Sequence, residues 1–248
     1  MKAISKMSKG VKASIALFLS SVLIKGISYI TTPIFTRLLT AEEYGKVSIY
    51  FTWAQVFGLI AMFCLSYGVF NNGMIDYPDK RDEYAFSMLV LSNIITACFS
   101  ALLLIAYPVI RLFINLPYPL LILMCLSFFL MPAYNFWITR QRFEYKYKAL
   151  TIVSISSAVL STTCALLFVL LNDDGQRLYP RLLGGEIVLF LFYIFFYVFL
   201  AVKAKGRINT KYWREALVFN LPLIPHYLST YLLGSSDKIM ISYLINDS

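Results

Sequence analysis

The chain has 248 residues, of which 59% are hydrophobic and only 14% charged, with a formal net charge of +9, 18 Tyr, 20 Phe and a single His. Soluble domains carry about 25% charged residues, so this sequence lacks the polar side chains to cover a water-facing surface, and its apolar residues must face lipid. The basic balance does not make it a nucleic-acid binder. Its cations sit in short connections between apolar blocks and form no continuous surface with interleaved aromatics.

Taken in chain order, Lys2, Lys6, Lys9 and Lys12 precede an apolar run that continues to Phe35 without a small-residue cleavage site, so the run reads as a retained first span and not a signal peptide. Apolar blocks near the bilayer-crossing length of about 20 residues predict seven spans, at about 13–36, 46–70, 85–107, 118–139, 148–171, 183–202 and 217–245. The fold class is therefore all-α, a polytopic helical membrane protein. The connections 71–84 and 172–182 hold Asn71, Asn72, Gly73 and Pro78, and Asn172, Asp173, Asp174, Gly175 and Pro180, compositions that stop a helix. Cys64, Cys98, Cys125 and Cys164 all lie inside apolar blocks, where cysteine behaves as a small hydrophobe and implies no disulfide framework or metal site.

Assigning alternate connections to one side places fifteen of the 22 Lys and Arg residues with the N-terminus. Only Arg37, Lys46, Arg111, Arg177 and Arg181 fall on the other side, which predicts a cytoplasmic N-terminus and anionic lipid as a partner of the basic connections. The segment Arg207–Glu215 joins cations to Tyr212 and Trp213 ahead of an apolar run, a composition for a short helix lying at the membrane surface, with simple interfacial anchoring as the plainer reading.

An unpaired ionisable group in hydrocarbon is costly and needs an explanation. Lys25 lies about a dozen residues into the first span, with Ser14, Ser21, Ser28 and Thr32 on its helix face. It is either a cation in a central aqueous cavity, suited to a phosphate or carboxylate, or a snorkelling or structurally paired lysine. Arg37, at the far end of that span, is a second cation or a rim residue. Asp237 and Lys238 sit deep in the last span, where they line a cavity or pair between helices. Glu186 follows Gly184 and Gly185 in the sixth span, where it lines the cavity, couples to an ion, or occupies a helix first turn. Small polar residues recur at Ser92, Asn93, Thr96 and Ser100, and at Thr151, Ser154, Ser157, Ser161 and Cys164, consistent with either a hydrophilic interior or dry helix contacts. Pro222 and Pro225 break the chain ahead of the last polar stretch. No nucleotide loop, dinucleotide fingerprint or histidine pair is present, so no cofactor or metal is expected.

The stretches Pro33–Gly45 (PIFTRLLTAEEYG) and Ser235–Leu244 (SSDKIMISYL) resemble the end of the first span and the seventh span of the oligosaccharide and polysaccharide flippases, the O-antigen type within the multidrug/oligosaccharidyl-lipid/polysaccharide exporter superfamily. That resemblance implies a six-helix transporter bundle over residues 1–206, followed over 207–248 by an interfacial segment and the first helix of a second bundle. It marks the chain as the N-terminal half, or fragment, of a longer non-enzymatic transporter in the bacterial inner membrane. The implied activity is translocation of a polyprenyl-diphosphate-linked oligosaccharide, in partnership with polysaccharide assembly proteins, with Lys25, Arg37, Asp237 and Lys238 as substrate-contacting positions and Glu186 as a coupling or structural one. Alternatives are export of small cationic compounds or flipping of a peptidoglycan precursor by the same fold, a noncatalytic membrane assembly subunit, and a membrane transferase whose acids in 71–84 would converge with 140–148.

Overall fold

The computed structural model describes residues 9–114, 116–172, 175–230, 233, 234 and 236. Apolar chain in hydrocarbon must satisfy its backbone hydrogen bonds internally, and these segments do so as helices. They are α1 (Lys9–Leu38), α2 (Ala41–Ala61), α3 (Gly68–Asp76), α4 (Arg81–Ile105), α5 (Tyr107–Phe113), α6 (Tyr118–Phe143), α7 (Tyr147–Leu170), α8 (Leu178–Ala204) and α9 (Lys211–Asn220), with short 3₁₀ turns at Pro78–Lys80 and Leu221–Leu223. Among the described residues, five stretches are long and apolar enough to cross a membrane: Ala13–Leu38, Pro78–Ile105, Tyr118–Phe143, Tyr147–Leu170 and Leu178–Ala204. The molecule is an all-α, polytopic membrane protein.

The chain divides into two compact units, residues 1–44 with 137–192, and 45–136 with 193–248. In the first unit α1 packs along α7. Its contact face includes the buried Ala13, Ser20 and Phe35, and the Ser20 hydroxyl lies 2.9 Å from Thr151 Oγ1. The α7–α8 contact is closer still. A Cβ on Gly184 would stand 2.8 Å from Ala165 Cα and 2.9 Å from the Cys164 carbonyl oxygen, so only glycine permits this approach. The α6–α7 turn is closed by Tyr145 in the left-handed region, with the Lys146 amide donating to the Gln141 carbonyl and the Tyr145 amide to Arg142. Glu144 joins Arg140, at 2.8 Å, to Lys146. Burial pushes the Glu144 carboxyl up, but hydrogen bonds from Lys146 and Arg140 and their charges outweigh it and hold it below its ordinary value.

In the second unit the single helix expected over 46–70 is two helices. The chain leaves helical geometry at Met62–Tyr67, with Phe63 and Cys64 both at positive φ, 52° and 53°. A backbone break at membrane depth survives only where other groups satisfy it. Here the Thr96 hydroxyl of α4 donates to the Ala61 carbonyl (3.0 Å), and the Asn220 side-chain amide at the end of α9 donates to the Phe63 carbonyl (3.0 Å). Asn220 is wholly buried. The rest of this core is aromatic: Phe70 packs on Phe136 with ring centroids 4.8 Å apart, and Tyr134 against Tyr193 and Phe196 at 5.7 and 5.6 Å.

Candidate functional site

Lys25 is the thirteenth residue of the 26-residue span Ala13–Leu38, its midpoint. Ser14, Ser21, Ser28 and Thr32 share its face and, like it, are exposed. Among the described residues their hydroxyls reach no other helix: Ser21 donates to the Leu17 carbonyl at 2.9 Å and Thr32 to the Ser28 carbonyl at 2.7 Å, both on α1 itself. Along this face Lys25, Ser28, Tyr29, Thr32 and Pro33 line an open groove of about 460 Å³. The packed face of α1 and the Lys25 face are thus different faces, and the polar one is uncovered.

The other polar stripes are used differently. Asn93 donates to the Tyr197 hydroxyl at 3.1 Å, Thr96 caps the α2 break, and Ser92, Asn93 and Thr96 are buried within the second unit. On α7, Thr151 meets Ser20 and the Cys164–Ala165 backbone receives Gly184. These two stripes serve helix contacts, and only the α1 stripe stays open among the three.

Arg37 is exposed in the last turn of α1, where a cation is favoured by the unpaired carbonyls of the helix end. Twelve residues separate it from Lys25, about 18 Å along a helix, so a single phosphate cannot touch both. Glu186 is buried on α8. The helix starts at Leu178, several residues before the 183 expected from composition, because Pro180 is accommodated in its first turn; Glu186 therefore sits two turns inside the helix and not in its first turn. Asp237 and Lys238 lie outside the described residues.

The segment Pro33–Gly45 proves to be a fastening. Thr40 and Glu43 form a capping box at the start of α2: the Thr40 amide donates to Glu43 Oε2 (3.0 Å) and the Glu43 amide to Thr40 Oγ1 (3.2 Å). The other Glu43 oxygen accepts the Arg177 backbone amide at 2.6 Å, and Arg177 Nη1 donates to the Leu38 carbonyl at 2.7 Å. Burial pushes the Glu43 carboxyl up, but the hydrogen bonds from Thr40, Arg177 and Leu178 together hold it below its ordinary value. One turn further along α8, the Arg181 guanidinium lies 4.0 Å from the centre of the Phe35 ring. The Thr-x-x-Glu spacing is a visible signal for the cap; the reach to Arg177 and the Phe35–Arg181 stack have no local signal.

The helix expected over Arg207–Glu215 is α9, which begins at Lys211 and runs to Asn220, further toward the last span than composition implied. It is docked by side chains from its inner face. Trp213 Nε1 donates to the Ser87 carbonyl at 2.9 Å, and the Tyr212 hydroxyl to Glu83 at 3.2 Å. The Tyr77 hydroxyl donates to Glu215 at 2.7 Å, and this hydrogen bond, with burial and the Glu215 charge, pushes the Tyr77 phenol up to about 12. Glu83 and Glu215 are thereby committed to holding α9.

Among its described residues this multi-pass helical membrane protein leaves the polar Lys25 face exposed at mid-span, where ionisable groups commonly mark substrate pathways. The sequence matches the family described as polysaccharide biosynthesis protein over residues 11–248, and the chain belongs to that family. "Lsg locus putative protein 1" of Haemophilus influenzae is 24% identical over 236 residues, which cover 90% of this chain and 54% of that protein. The chain thus spans about half the length of the curated relative it matches. No solved structure matches it.

Proposed function

We propose that this chain supplies a six-span bundle and the opening helix of a second bundle in a longer inner-membrane flippase. Its cargo is a polyprenyl-diphosphate-linked oligosaccharide, its N-terminus is cytoplasmic, and it performs no covalent chemistry. The observation that carries this reading is the uncovered Lys25 stripe. A lysine facing hydrocarbon at mid-span costs roughly 2.5–3.5 kcal/mol, and no packing need explains four hydroxyl residues beside it. Membership of the polysaccharide biosynthesis family supports a polysaccharide-related cargo.

In this mechanism the Lys25 ammonium attracts the diphosphate as a point charge, the hydroxyls of Ser21, Ser28 and Thr32 offer hydrogen bonds to phosphate or sugar, and the prenyl tail remains in lipid. Alternating exposure of the α1 face to the two sides moves the headgroup across. Arg37, near the end of the span, meets the headgroup at the rim.

Flipping of a fluorescent lipid-linked oligosaccharide in proteoliposomes holding the longer protein tests the proposal. Lys25→Ala is expected to slow initial transport about tenfold or more, equivalent to about 1.4 kcal/mol of lost stabilisation, and Lys25→Arg to retain most of the rate. Unchanged flipping in the Lys25→Ala, Arg37→Ala double variant removes these cations from the mechanism.

A further inference from the structure

The last turn of α8, the connection after it and α9 contain five cations, Lys203, Lys205, Arg207, Lys211 and Arg214. Lys203 lies 4.9 Å from the Phe199 ring centre. None of the five has a carboxylate at ion-pairing distance among the described residues. Glu215 of α9 and Glu83 of α4, the acids bonded around this helix, are engaged by Tyr77 and Tyr212.

With its inner face docked through Tyr212, Trp213, Ala216 and Asn220, α9 turns a second face outward. Lys211 and Arg214 occupy the first half of that face and Val218, 70% exposed, the second, with Leu221 just beyond 64% exposed; Glu215, bonded to Tyr77, and Phe219, whose ring lies close to Gly68 of α3, flank it. An open groove of about 940 Å³ runs along these residues. The charge is at one end and the bulky apolar surface at the other, a gradient along the helix axis that suits a boundary between headgroups and acyl chains.

Connectivity places the helix at such a boundary. The span Leu178–Ala204 ends seven residues before Lys211, and its end is tied off by Lys205 and Gly206 at positive φ, with the Gly206 amide donating to the Ala201 carbonyl. The chain cannot travel far from the bilayer surface before α9 begins.

We infer that the outward face of α9 is seated on an anionic phospholipid surface. Lys205, Arg207, Lys211 and Arg214 meet headgroup phosphates, and Val218 and Leu221 enter the acyl boundary. Because its inner face hydrogen-bonds to α4 and its last residue, Asn220, caps the α2 break, the helix links lipid composition to the fold of the second unit. This inference is independent of the transported substrate.

Hydrogen exchange of the α9 amides, measured on the whole chain in nanodiscs, tests it. In phosphatidylcholine mixed with phosphatidylglycerol, exchange is expected to be slower than in phosphatidylcholine alone by on the order of tenfold, the scale of two or more cations near an anionic surface, and high salt should remove the difference. Lys205→Gln, Arg207→Gln, Lys211→Gln and Arg214→Gln together, all exposed and outside the docking contacts, should abolish the lipid dependence while leaving exchange in phosphatidylcholine unchanged. Val218→Ser with Leu221→Ser, both largely exposed, should speed exchange in both lipids. Equal exchange in the two lipid compositions overturns the inference and leaves plain interfacial anchoring or a protein partner; so does a phosphatidylglycerol effect that survives the charge variant.

Discussion

Gly73→Ala is expected to lower the unfolding midpoint of the second unit sharply. A Cβ at residue 73 would stand 2.0 Å from Tyr84 Cζ and 2.3 Å from its hydroxyl oxygen. The ring has nowhere to go: it is buried, its hydroxyl donates to the Val69 carbonyl at 3.0 Å, and its neighbours are Phe70, Tyr77 and Tyr212 with centroids 5.8, 5.7 and 5.2 Å away. Overpacking of this kind costs about 1–3 kcal/mol, and pulling the buried hydroxyl off its acceptor adds about 1–3 kcal/mol. Thermal unfolding in detergent micelles measures the loss. The same substitution in a Tyr84→Leu background should cost much less, because the clash and the hydrogen bond are both gone. An equal cost in the two backgrounds would show that Tyr84 is not what glycine accommodates.

The second large effect is expected at Gly184, with its neighbour as the control. The Cβ of Gly184→Ala meets the α7 backbone at Ala165 and Cys164 within 2.9 Å, and neither can yield without parting the helices; at Gly185 the nearest atom is 3.8 Å away. Gly184→Ala should destabilise the first unit by about 2 kcal/mol, and Gly184→Leu by more. Gly185→Ala should be neutral, or slightly stabilising through the roughly 1 kcal/mol by which alanine exceeds glycine in a helix. Comparable losses at both positions would contradict the close α7–α8 approach.

The existence of the long helices was legible because apolar runs of bilayer length leave the backbone no alternative. The break at Met62–Tyr67 was not. Its sequence, Met-Phe-Cys-Leu-Ser-Tyr, is as apolar as a span, and what opens it is supplied from elsewhere in the chain by Thr96 and Asn220. Helical spacing marked the polar stripes on three spans, but spacing says which residues share a face and not what covers that face. The stripes of α4 and α7 went to helix contacts, and the stripe of α1 remained open. Glu186 shows the same limit on a smaller scale, since a helix start misplaced by a few residues changed a first-turn carboxylate into one buried two turns in. The motif around Thr40 was visible as a pattern; its reach to Arg177, more than 130 residues away, depends on how the α7–α8 connection folds back.

The account stands on the Lys25 face of α1 opening onto water within the assembled membrane protein. A single cysteine at position 25, in the longer protein with Cys64, Cys98, Cys125 and Cys164 replaced, reports on this directly through reaction with a membrane-impermeant thiol reagent. The account predicts labelling from one side of the membrane in at least one transport state, with lipid-linked oligosaccharide slowing the reaction. A cysteine at 25 that stays unreactive from both sides in every state would contradict it.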